Sequence, residues 1–283
     1  MKKKLTAIVF SLIILLLVSC SESVAEIEIP TGEIIYKTVD DRELGLEILT
    51  PTAKKTRRNP AVIVLHGGGW ISGTREDFTR DFKPLCDALR AEGIMVIPIT
   101  YRLAVNGGSW RDCVDDCEDA LNYIVENSKR LGIDSHKIGI IGYSAGGQLA
   151  LMTSIETRDQ VKYCVSMSGP TCFSDNKDSI FYSEALTYYI NMIFPEGDHI
   201  SMYQASPIIR VNRKCASDFL LVSGTADEVV SPAHAESFQR EVESFGLTAE
   251  IINSDGLTHF YTSWEGFNAL CSEIADKVIS ALT

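Results

Sequence analysis

The sequence is short of positive charge. Lysine and arginine together number 26 against 38 aspartate and glutamate residues, which gives a formal net charge of -12 at pH 7. Loss of the three N-terminal lysines by cleavage would leave -15. A surface this acidic repels polyanions. The composition therefore argues against a nucleic-acid partner and against an anionic polymer as the substrate.

Internal repeats and low-complexity tracts are also missing from the sequence. The 283 residues are 45% hydrophobic and 23% charged, an ordinary globular composition that excludes a largely disordered chain. This length suits one large α/β domain or two small ones.

The N-terminus lacks the long apolar run of a membrane-spanning helix. Its apolar run extends from Ala7 to Val18, follows a lysine cluster and ends in small residues before Cys20, which is the layout of a signal peptide over residues 1–19. The segment Leu17-Val18-Ser19-Cys20 resembles a bacterial lipobox. The resemblance implies cleavage before Cys20, lipidation of that cysteine and a short polar tether over residues 20–29.

A lipid-anchored chain of this kind is expected at the bacterial cell envelope. Ser21 follows the cysteine directly, and the lack of an aspartate at that position favours the outer membrane. A plain secretory signal with an incidental cysteine is the alternative interpretation.

The sequence also lacks the paired cysteines and histidines whose spacing is typical of a zinc site. Cys113 and Cys117 lie one helical turn apart on a predicted helix, but no second cysteine pair or histidine pair accompanies them, so no zinc site is expected. Cysteines other than Cys20 are odd in number, so at least one thiol is free or bonded to another chain. We expect small buried core residues, and a single disulfide stays open as the alternative.

Short apolar runs alternate with helical patterns along the rest of the chain. The sequence predicts a hairpin from Glu33–Val39 and Leu44–Leu49, followed by a loop over residues 50–60. Further strands are predicted at Ala61–Leu65, Ile94–Ile99, Ile138–Ile141, Val161–Met167, Phe219–Val222 and Ala249–Ile252, and helices at Asp77–Ala91, Trp110–Leu131, Ala233–Phe245 and Ser263–Leu282. This alternation predicts an α/β fold with a mostly parallel sheet, helices on both faces and ligands at the carboxyl ends of the strands.

One stretch contains the motif around which the chain is organised. An apolar run ends at Gly142-Tyr143-Ser144-Ala145-Gly146, a G-x-S-x-G pentad followed at once by small and helix-forming residues. This layout is typical of a strand-to-helix nucleophile elbow, whose sharp turn needs glycine on both sides of the serine. Ser144 is therefore the candidate nucleophile, and a simple tight turn is the alternative.

A serine hydroxyl is a weak nucleophile, so Ser144 needs a base and a group that orients the base. Of five histidines, only His259 lies between the last predicted strand and the last predicted helix, and we predict it as the general base rather than a surface-loop histidine. His66 ends a buried strand and is expected to be structural. The remaining three precede the elbow strand, lie in an insertion and open a helix; they are His136, His199 and His234.

The acid is predicted from the loop after the penultimate strand. Asp227 lies there, where its carboxylate can accept the Nδ1 proton of His259. Glu228 and Asp255 are the fallback acids, and an aspartate that only stabilises a turn is the alternative. The chain order of Ser144, Asp227 and His259 is the order expected of an α/β-hydrolase.

Three consecutive glycines supply the remaining part of the predicted site. Gly67-Gly68-Gly69 follows His66 at the end of a buried strand, and a backbone without side chains can approach a substrate closely. An amide of Gly68 or Gly69, together with the amide of Ala145, is predicted to form an oxyanion hole.

Together these motifs resemble esterases of the α/β-hydrolase superfamily, near the hormone-sensitive-lipase-like carboxylesterases and the bacterial feruloyl or acetyl-xylan esterases. The matching segments are His66-Gly67-Gly68-Gly69-Trp70, Thr100-Tyr101-Arg102-Leu103, Gly142-Tyr143-Ser144-Ala145-Gly146-Gly147, Gly224-Thr225-Ala226-Asp227 and His259-Phe260. They imply one α/β-hydrolase domain over residues 30–283.

Asp116 falls where the family has an aspartate before the elbow, with a solvated helix face as the alternative. Trp70 replaces the phenylalanine of the lipase-like branch, which favours smaller or carbohydrate-linked esters.

Residues 172–206 form an insertion rich in aromatic residues, which form either a small lid or the insertion's own apolar face; they are Phe173, Phe181, Tyr182, Tyr188, Tyr189 and Phe194.

The predicted function is a serine esterase without metal or cofactor, acting on small acyl or aryl esters such as acetyl or feruloyl groups on carbohydrates. A lipase-like or thioester hydrolase, or a catalytically silent surface glycan-binding relative, are the alternatives.

Overall fold

A six-stranded parallel sheet forms the centre of the protein in the computed structural model, which describes residues 28–53, 56–105, 108–173, 180–215 and 217–283. The strands are β1 (Glu33–Val39), β2 (Arg42–Glu47), β3 (Asn59–Leu65), β4 (Met95–Pro98), β5 (Ile133–Tyr143), β6 (Tyr163–Met167), β7 (Asp218–Gly224) and β8 (Ala249–Ser254). Across the sheet they follow the order β4-β3-β5-β6-β7-β8, and each neighbouring pair is parallel. The predicted α/β class with a mostly parallel sheet is confirmed.

Helices connect the strands and cover both faces of the sheet. They are α1 (Arg75–Asp81), α2 (Lys83–Ala91), α3 (Trp110–Glu126), α4 (Ser128–Leu131), α5 (Ala145–Glu156), α6 (Glu184–Ile193), α7 (His199–Gln204), α8 (Pro207–Arg210), α9 (Ala233–Ser244) and α10 (Phe267–Leu282), with a 3₁₀ turn at Tyr261–Ser263. Successive residues of β3 point to opposite faces: Ile63 joins the apolar core under α3, α5 and α9, whereas Val62 joins the core under α1, α2 and α10. The sheet is therefore buried on both sides, as its apolar strands predict.

The predicted N-terminal hairpin is confirmed as a separate antiparallel pair, β1 and β2. It lies beside the edge strand β4 through two isolated bridges, Leu46 to Ile99 and Leu49 to Val96. The buried side chain of Asp116 on α3 links the hairpin to the loop after β4, because it accepts hydrogen bonds from Lys37 Nζ at 2.6 Å and from Arg102 Nε at 2.8 Å. A solvated helix face is therefore the wrong interpretation of Asp116.

Several element boundaries differ from the sequence predictions. The helix predicted over Asp77–Ala91 is two helices that meet at Phe82, because Pro84 in the first turn of α2 lacks an N–H and cannot continue α1. The helix predicted over Trp110–Leu131 is interrupted at Asn127, and Gly132 ends α4 in the left-handed conformation. The loop over residues 50–60 is shorter because β3 begins at Asn59.

Two further boundaries, those of the last helix and of the elbow strand, also differ from the predictions. The last helix begins at Phe267, and the preceding residues form the 3₁₀ turn. The elbow strand begins early, at Ile133, so His136 lies within β5 and not before it.

All seven described cysteines are free thiols, and six of them are buried. Burial raises the pKa of the Cys113 thiol to about 12, so the group stays protonated and behaves as a small apolar side chain. The predicted core role is confirmed for the buried six; Cys172 is half-buried, and none of the described cysteines forms the single disulfide that stayed open.

The predicted signal peptide, Cys20 and most of the predicted tether lie outside the described residues. In the described part of the chain, the helices are too short or too polar to cross a bilayer. The division into signal, tether and one hydrolase domain stays a prediction.

Candidate active site

Ser144 stands on a sharp turn between β5 and α5. Its backbone has φ 53° and ψ -119°, a strained conformation for a residue with a side chain. A Cβ on Gly142 would lie 1.9 Å from the Gly146 oxygen, and one on Gly146 would lie 2.4 Å from the His66 oxygen. Only glycine fits at both pentad positions, so the motif produces the elbow geometry that the sequence predicts.

His259 reaches Ser144 from the loop after β8. Its Nε2 lies 3.0 Å from Ser144 Oγ, and its Nδ1 lies 3.0 Å and 3.1 Å from the two Asp227 carboxylate oxygens. Parallel strands end at the same edge of a sheet, which is why β5, β7 and β8 bring three distant residues together. The structure thus places Ser144, His259 and Asp227 in one hydrogen-bonded chain.

Asp227 is held on several sides. Its Oδ1 accepts hydrogen bonds from the amides of Val229 at 2.9 Å and Val230 at 2.8 Å, and its Oδ2 accepts one from Ser168 Oγ at 2.7 Å. Burial raises the pKa of Asp227, but hydrogen bonds from His259, Ser168 and Val230 outweigh it and hold the pKa below its usual value. The carboxylate therefore remains ionised beside the imidazole.

The two fallback acids do not contact the imidazole. Glu228 is exposed and accepts a hydrogen bond from the backbone amide of His259 at 3.4 Å. Asp255 is exposed and accepts one from Thr225 Oγ1 at 3.0 Å. The geometry singles out Asp227 among the three candidates.

The backbone amides predicted to hold an oxyanion lie beside Ser144. Gly68 and Gly69 line the same cavity as Ser144, and both have positive φ, 114° and 60°. Ala145 is the first residue of α5, so its amide points from the positive end of the helix dipole. Within the described residues, no protein group accepts a hydrogen bond from any of these three amides. They remain available to an anionic oxygen.

A cavity of about 490 Å³ surrounds the serine. Its lining includes several aromatic rings and two carboxylates; the lining residues are Gly68, Gly69, Asp81, Phe82, Tyr143, Ser144, Ala185, Tyr189, Glu228, Val229, His259, Phe260, Tyr261 and Thr262. A cavity of this size with a few convergent polar groups is typical of a small-molecule site.

Part of the insertion faces the cavity, and part forms its own core. Tyr189 on α6 lines the cavity and covers Gly69 so closely that a Cβ there would lie 2.1 Å from the tyrosine ring. Phe173 and Phe194 are buried against each other at a ring distance of 5.7 Å. Tyr188 is exposed. Tyr189 therefore covers part of the cavity, whereas Phe173 and Phe194 form the insertion's own apolar core; the function of the insertion as a lid stays a prediction.

Trp70 does not contact the cavity. Its ring is buried, its Nε1 donates to Gln148 Oε1 at 2.9 Å, and its edge meets Phe173. This side chain anchors the glycine loop to α5 and does not line the cavity. The preference for smaller esters predicted from Trp70 therefore has no contact with the site to support it.

The other histidines have structural surroundings. His66 is buried and stacks on Tyr101 at a ring distance of 4.3 Å. His234, near the start of α9, accepts a hydrogen bond at Nδ1 from the Thr171 amide at 3.0 Å. Burial lowers the pKa of His234 to about 4, so it stays neutral. His136 and His199 are exposed and do not line the cavity.

Three hydroxyl groups around the triad were not predicted from the sequence. Tyr143 donates a hydrogen bond to the His259 carbonyl at 2.5 Å, and Ser168 contacts both Asp227 and Tyr261. Tyr143 is a variable position of the pentad, and Ser168 directly follows β6. The location of Ser168 at the carboxyl end of a strand was the one available signal.

In the described part of the chain, no three histidine, cysteine, aspartate or glutamate residues are grouped as metal ligands.

Comparisons with known proteins agree with this architecture. The sequence pattern of the BD-FAE family matches residues 46–242. An arylesterase of Saccharolobus solfataricus is 36% identical over 124 residues, which are 43% of this chain and 38% of the arylesterase. Carboxylesterase NlhH of Mycobacterium tuberculosis is 32% identical over 128 residues, which are 43% of this chain and 39% of that enzyme. The matched stretch spans less than half of either relative.

Solved structures share the fold over most of the chain. Esterase 2 of Thermogutta terrifontis with bound propionate has a TM-score of 0.71 and 24% identity, covering 88% of this chain and 93% of that one. The hyperthermophilic esterase of Pyrobaculum calidifontis has a TM-score of 0.74 and 23% identity, covering 90% and 88%. These similarities establish an α/β-hydrolase fold.

Proposed function

The chain belongs to the BD-FAE family, and from that premise we propose that it is a serine carboxylic-ester hydrolase. The observation that carries the proposal is the 3.0 Å contact between His259 Nε2 and Ser144 Oγ, with Asp227 behind the imidazole. The names of the arylesterase and carboxylesterase relatives support the same reaction class.

The proposed reaction proceeds through an acyl-enzyme. Ser144 Oγ attacks the ester carbonyl while His259 Nε2 takes its proton. The negative oxygen formed in this step accepts hydrogen bonds from the amide of Ala145 and from that of Gly68 or Gly69. Collapse of the intermediate expels the alcohol, which receives the proton from His259. Water then repeats the sequence and releases the acid.

A fluorophosphonate probe tests the chemistry directly, because it phosphonylates an activated serine. We expect stoichiometric labelling of the folded protein, mapped by mass spectrometry to the peptide that contains Ser144. Absence of labelling in folded protein would favour the catalytically silent, glycan-binding alternative.

The proposed substrates are small acyl or aryl esters, among them acetyl or feruloyl groups on carbohydrates. The aromatic side chains in the lining of a 490 Å³ cavity suit short acyl chains and aromatic rings better than long lipid chains. A release assay on acetylated and feruloylated sugars, long-chain esters and acyl thioesters distinguishes this class from the lipase-like and thioesterase alternatives. Preferred cleavage of long chains or of thioesters would overturn it.

The charge of the cavity predicts a preference among esters. Asp81 and Glu228 line it, and no lysine or arginine among the described residues does. Each carboxylate disfavours an anionic substrate about 6 Å away by about threefold. Glu228→Gln is therefore expected to raise kcat/KM for an aryl hemisuccinate about threefold, and to leave kcat/KM for the neutral aryl acetate unchanged. The gain in kcat/KM for the hemisuccinate should shrink in 0.5 M salt because ions screen the charges.

The matched control for this test is Glu243→Gln, at an exposed position near the end of α9. It removes the same charge at a position away from the cavity, and it is expected to leave kcat/KM unchanged for both substrates. An equal effect of both variants would show that overall charge, and not the cavity carboxylates, sets the preference.

The proposal extends to location. A signal peptide over residues 1–19 and a lipidated Cys20 would attach the enzyme to the bacterial outer membrane. Metabolic labelling with an alkyne fatty acid and detergent phase partition test this. Labelling that persists in Cys20→Ser would overturn the assignment of the lipid to this cysteine.

A further inference from the structure

Ser168 lies behind the triad acid and is nearly fully buried, with 3% of its surface exposed. Its Oγ is 2.7 Å from Asp227 Oδ2 and 3.0 Å from the hydroxyl of Tyr261. An ionised carboxylate only accepts hydrogen bonds, so Ser168 must give its single hydroxyl proton to Asp227. The Tyr261 hydroxyl then donates either to Ser168 Oγ or to the Val222 carbonyl at 3.3 Å.

The two oxygens of Asp227 are held differently. Oδ1 accepts from two backbone amides, those of Val229 and Val230, and lies 3.1 Å from His259 Nδ1. Among the described residues, the donors to Oδ2 are Ser168 Oγ and His259 Nδ1. Without the serine hydroxyl, His259 Nδ1 is the one remaining donor to Oδ2 among the described residues, so that oxygen is held less firmly when the carboxylate turns about its Cβ–Cγ bond.

The backbone of Ser168 is unfavourable for a serine. Its φ is 47°, in the left-handed region where glycine is tolerated without strain. Its amide donates to the Val222 carbonyl at 2.8 Å, which fixes this conformation at the end of β6. Glycine would satisfy the backbone better, so the strain points to a use for the side chain.

We propose that Ser168 is a positioning residue of this site, whose hydroxyl holds the Asp227 carboxylate in the plane that receives the His259 imidazole. The proposal rests on the function proposed above. Ser168 touches no substrate; it acts through Asp227, which in turn keeps the Nδ1 proton of His259 in place during attack by Ser144.

The test compares Ser168→Gly and Ser168→Ala with the unaltered protein. Hydrogen bonds to charged groups contribute enough that their loss is expected to lower kcat on a neutral aryl acetate roughly 10- to 100-fold. KM should stay within about twofold, because the substrate contacts are unchanged. Ser168→Gly should unfold at the same or a higher temperature than the unaltered protein, since the strain is removed, whereas Ser168→Ala keeps it.

Arg158→Gly is the matched control. Arg158 also has a positive φ, 58°, but lies just beyond the far end of α5 from Ser144. The change should raise the unfolding temperature in the same way and leave kcat unchanged. A loss of kcat in this control would show that the lower kcat of Ser168→Gly comes from altered backbone stability and not from the missing hydroxyl.

A double-mutant cycle separates positioning from a general structural role. In an Asp227→Ala background, Ser168→Gly should lower the residual kcat less than twofold, because the hydroxyl has no carboxylate to hold. The same large loss in that background would overturn the proposal, as would an unchanged kcat in Ser168→Gly alone. An unaltered protein that neither turns over esters nor reacts with the fluorophosphonate would instead overturn the proposed function.

Discussion

Ser144→Ala is expected to lower kcat for a neutral aryl acetate by about a millionfold and to abolish fluorophosphonate labelling. The expected size follows from triad enzymes, in which loss of the nucleophile leaves only the catalysis supplied by binding and by the oxyanion hole. Alanine cannot form the acyl-enzyme, and in the described part of the chain Ser144 Oγ, at 3.0 Å, is the one hydroxyl in hydrogen-bond contact with His259 Nε2. Stopped assays on highly purified protein measure the residual rate.

The strained elbow gives this variant an independent check on folding. Alanine at position 144 keeps the same positive φ of 53° and removes one half-buried hydroxyl at the cavity wall, so the unfolding temperature should change little. Ser244→Ala, at the exposed C-terminal end of α9, is the control for serine removal and should retain full activity and labelling. Labelling that persists in folded Ser144→Ala would assign the reactive serine elsewhere.

The parts of the site with local sequence causes were predictable. The pentad predicts its own turn because Gly142 and Gly146 lie where any Cβ would collide with backbone. The positions of Asp227 and His259 follow from one rule, that parallel strands end at a common edge. The split between α1 and α2 also had a local signal in Pro84, which the prediction of one helix over Asp77–Ala91 did not take into account.

Other features depend on tertiary partners that leave no local pattern. Trp70 is turned away from the cavity because Gln148, far along the chain, accepts a hydrogen bond from its indole N–H. Ser168 is one serine among many until β6 and β7 place it against Asp227. The closeness of Tyr189 to Gly69 is likewise set by how α6 crosses the glycine loop. Sequence patterns therefore predict which strand ends carry the chemistry, and only the folded chain shows how the side chains there are held.

Asp227→Asn is the second change with a very large expected effect, a loss in kcat of about ten-thousandfold. The structure dictates how the asparagine would lie. The amides of Val229 and Val230 both donate to Oδ1, so the amide oxygen of the asparagine must stay there and its NH₂ group must replace Oδ2. That group then faces His259 Nδ1, which lies 3.0 Å from Oδ2 in the unaltered protein.

An NH₂ donor opposite Nδ1 selects the wrong tautomer of the imidazole. Because the NH₂ group replaces the nearer oxygen, at 3.0 Å against 3.1 Å for Oδ1, Nδ1 is expected to accept from it; the proton then moves to Nε2, and the ring presents an N–H to Ser144 Oγ where a base is required. Binding is unaffected, because Asp227 does not line the cavity, so the loss should appear in kcat and not in KM. Asp255→Asn, the same change at an exposed acid on the neighbouring loop, should keep full activity. Full activity in Asp227→Asn would instead transfer the role of the acid to Glu228, whose carboxylate already contacts the backbone of His259.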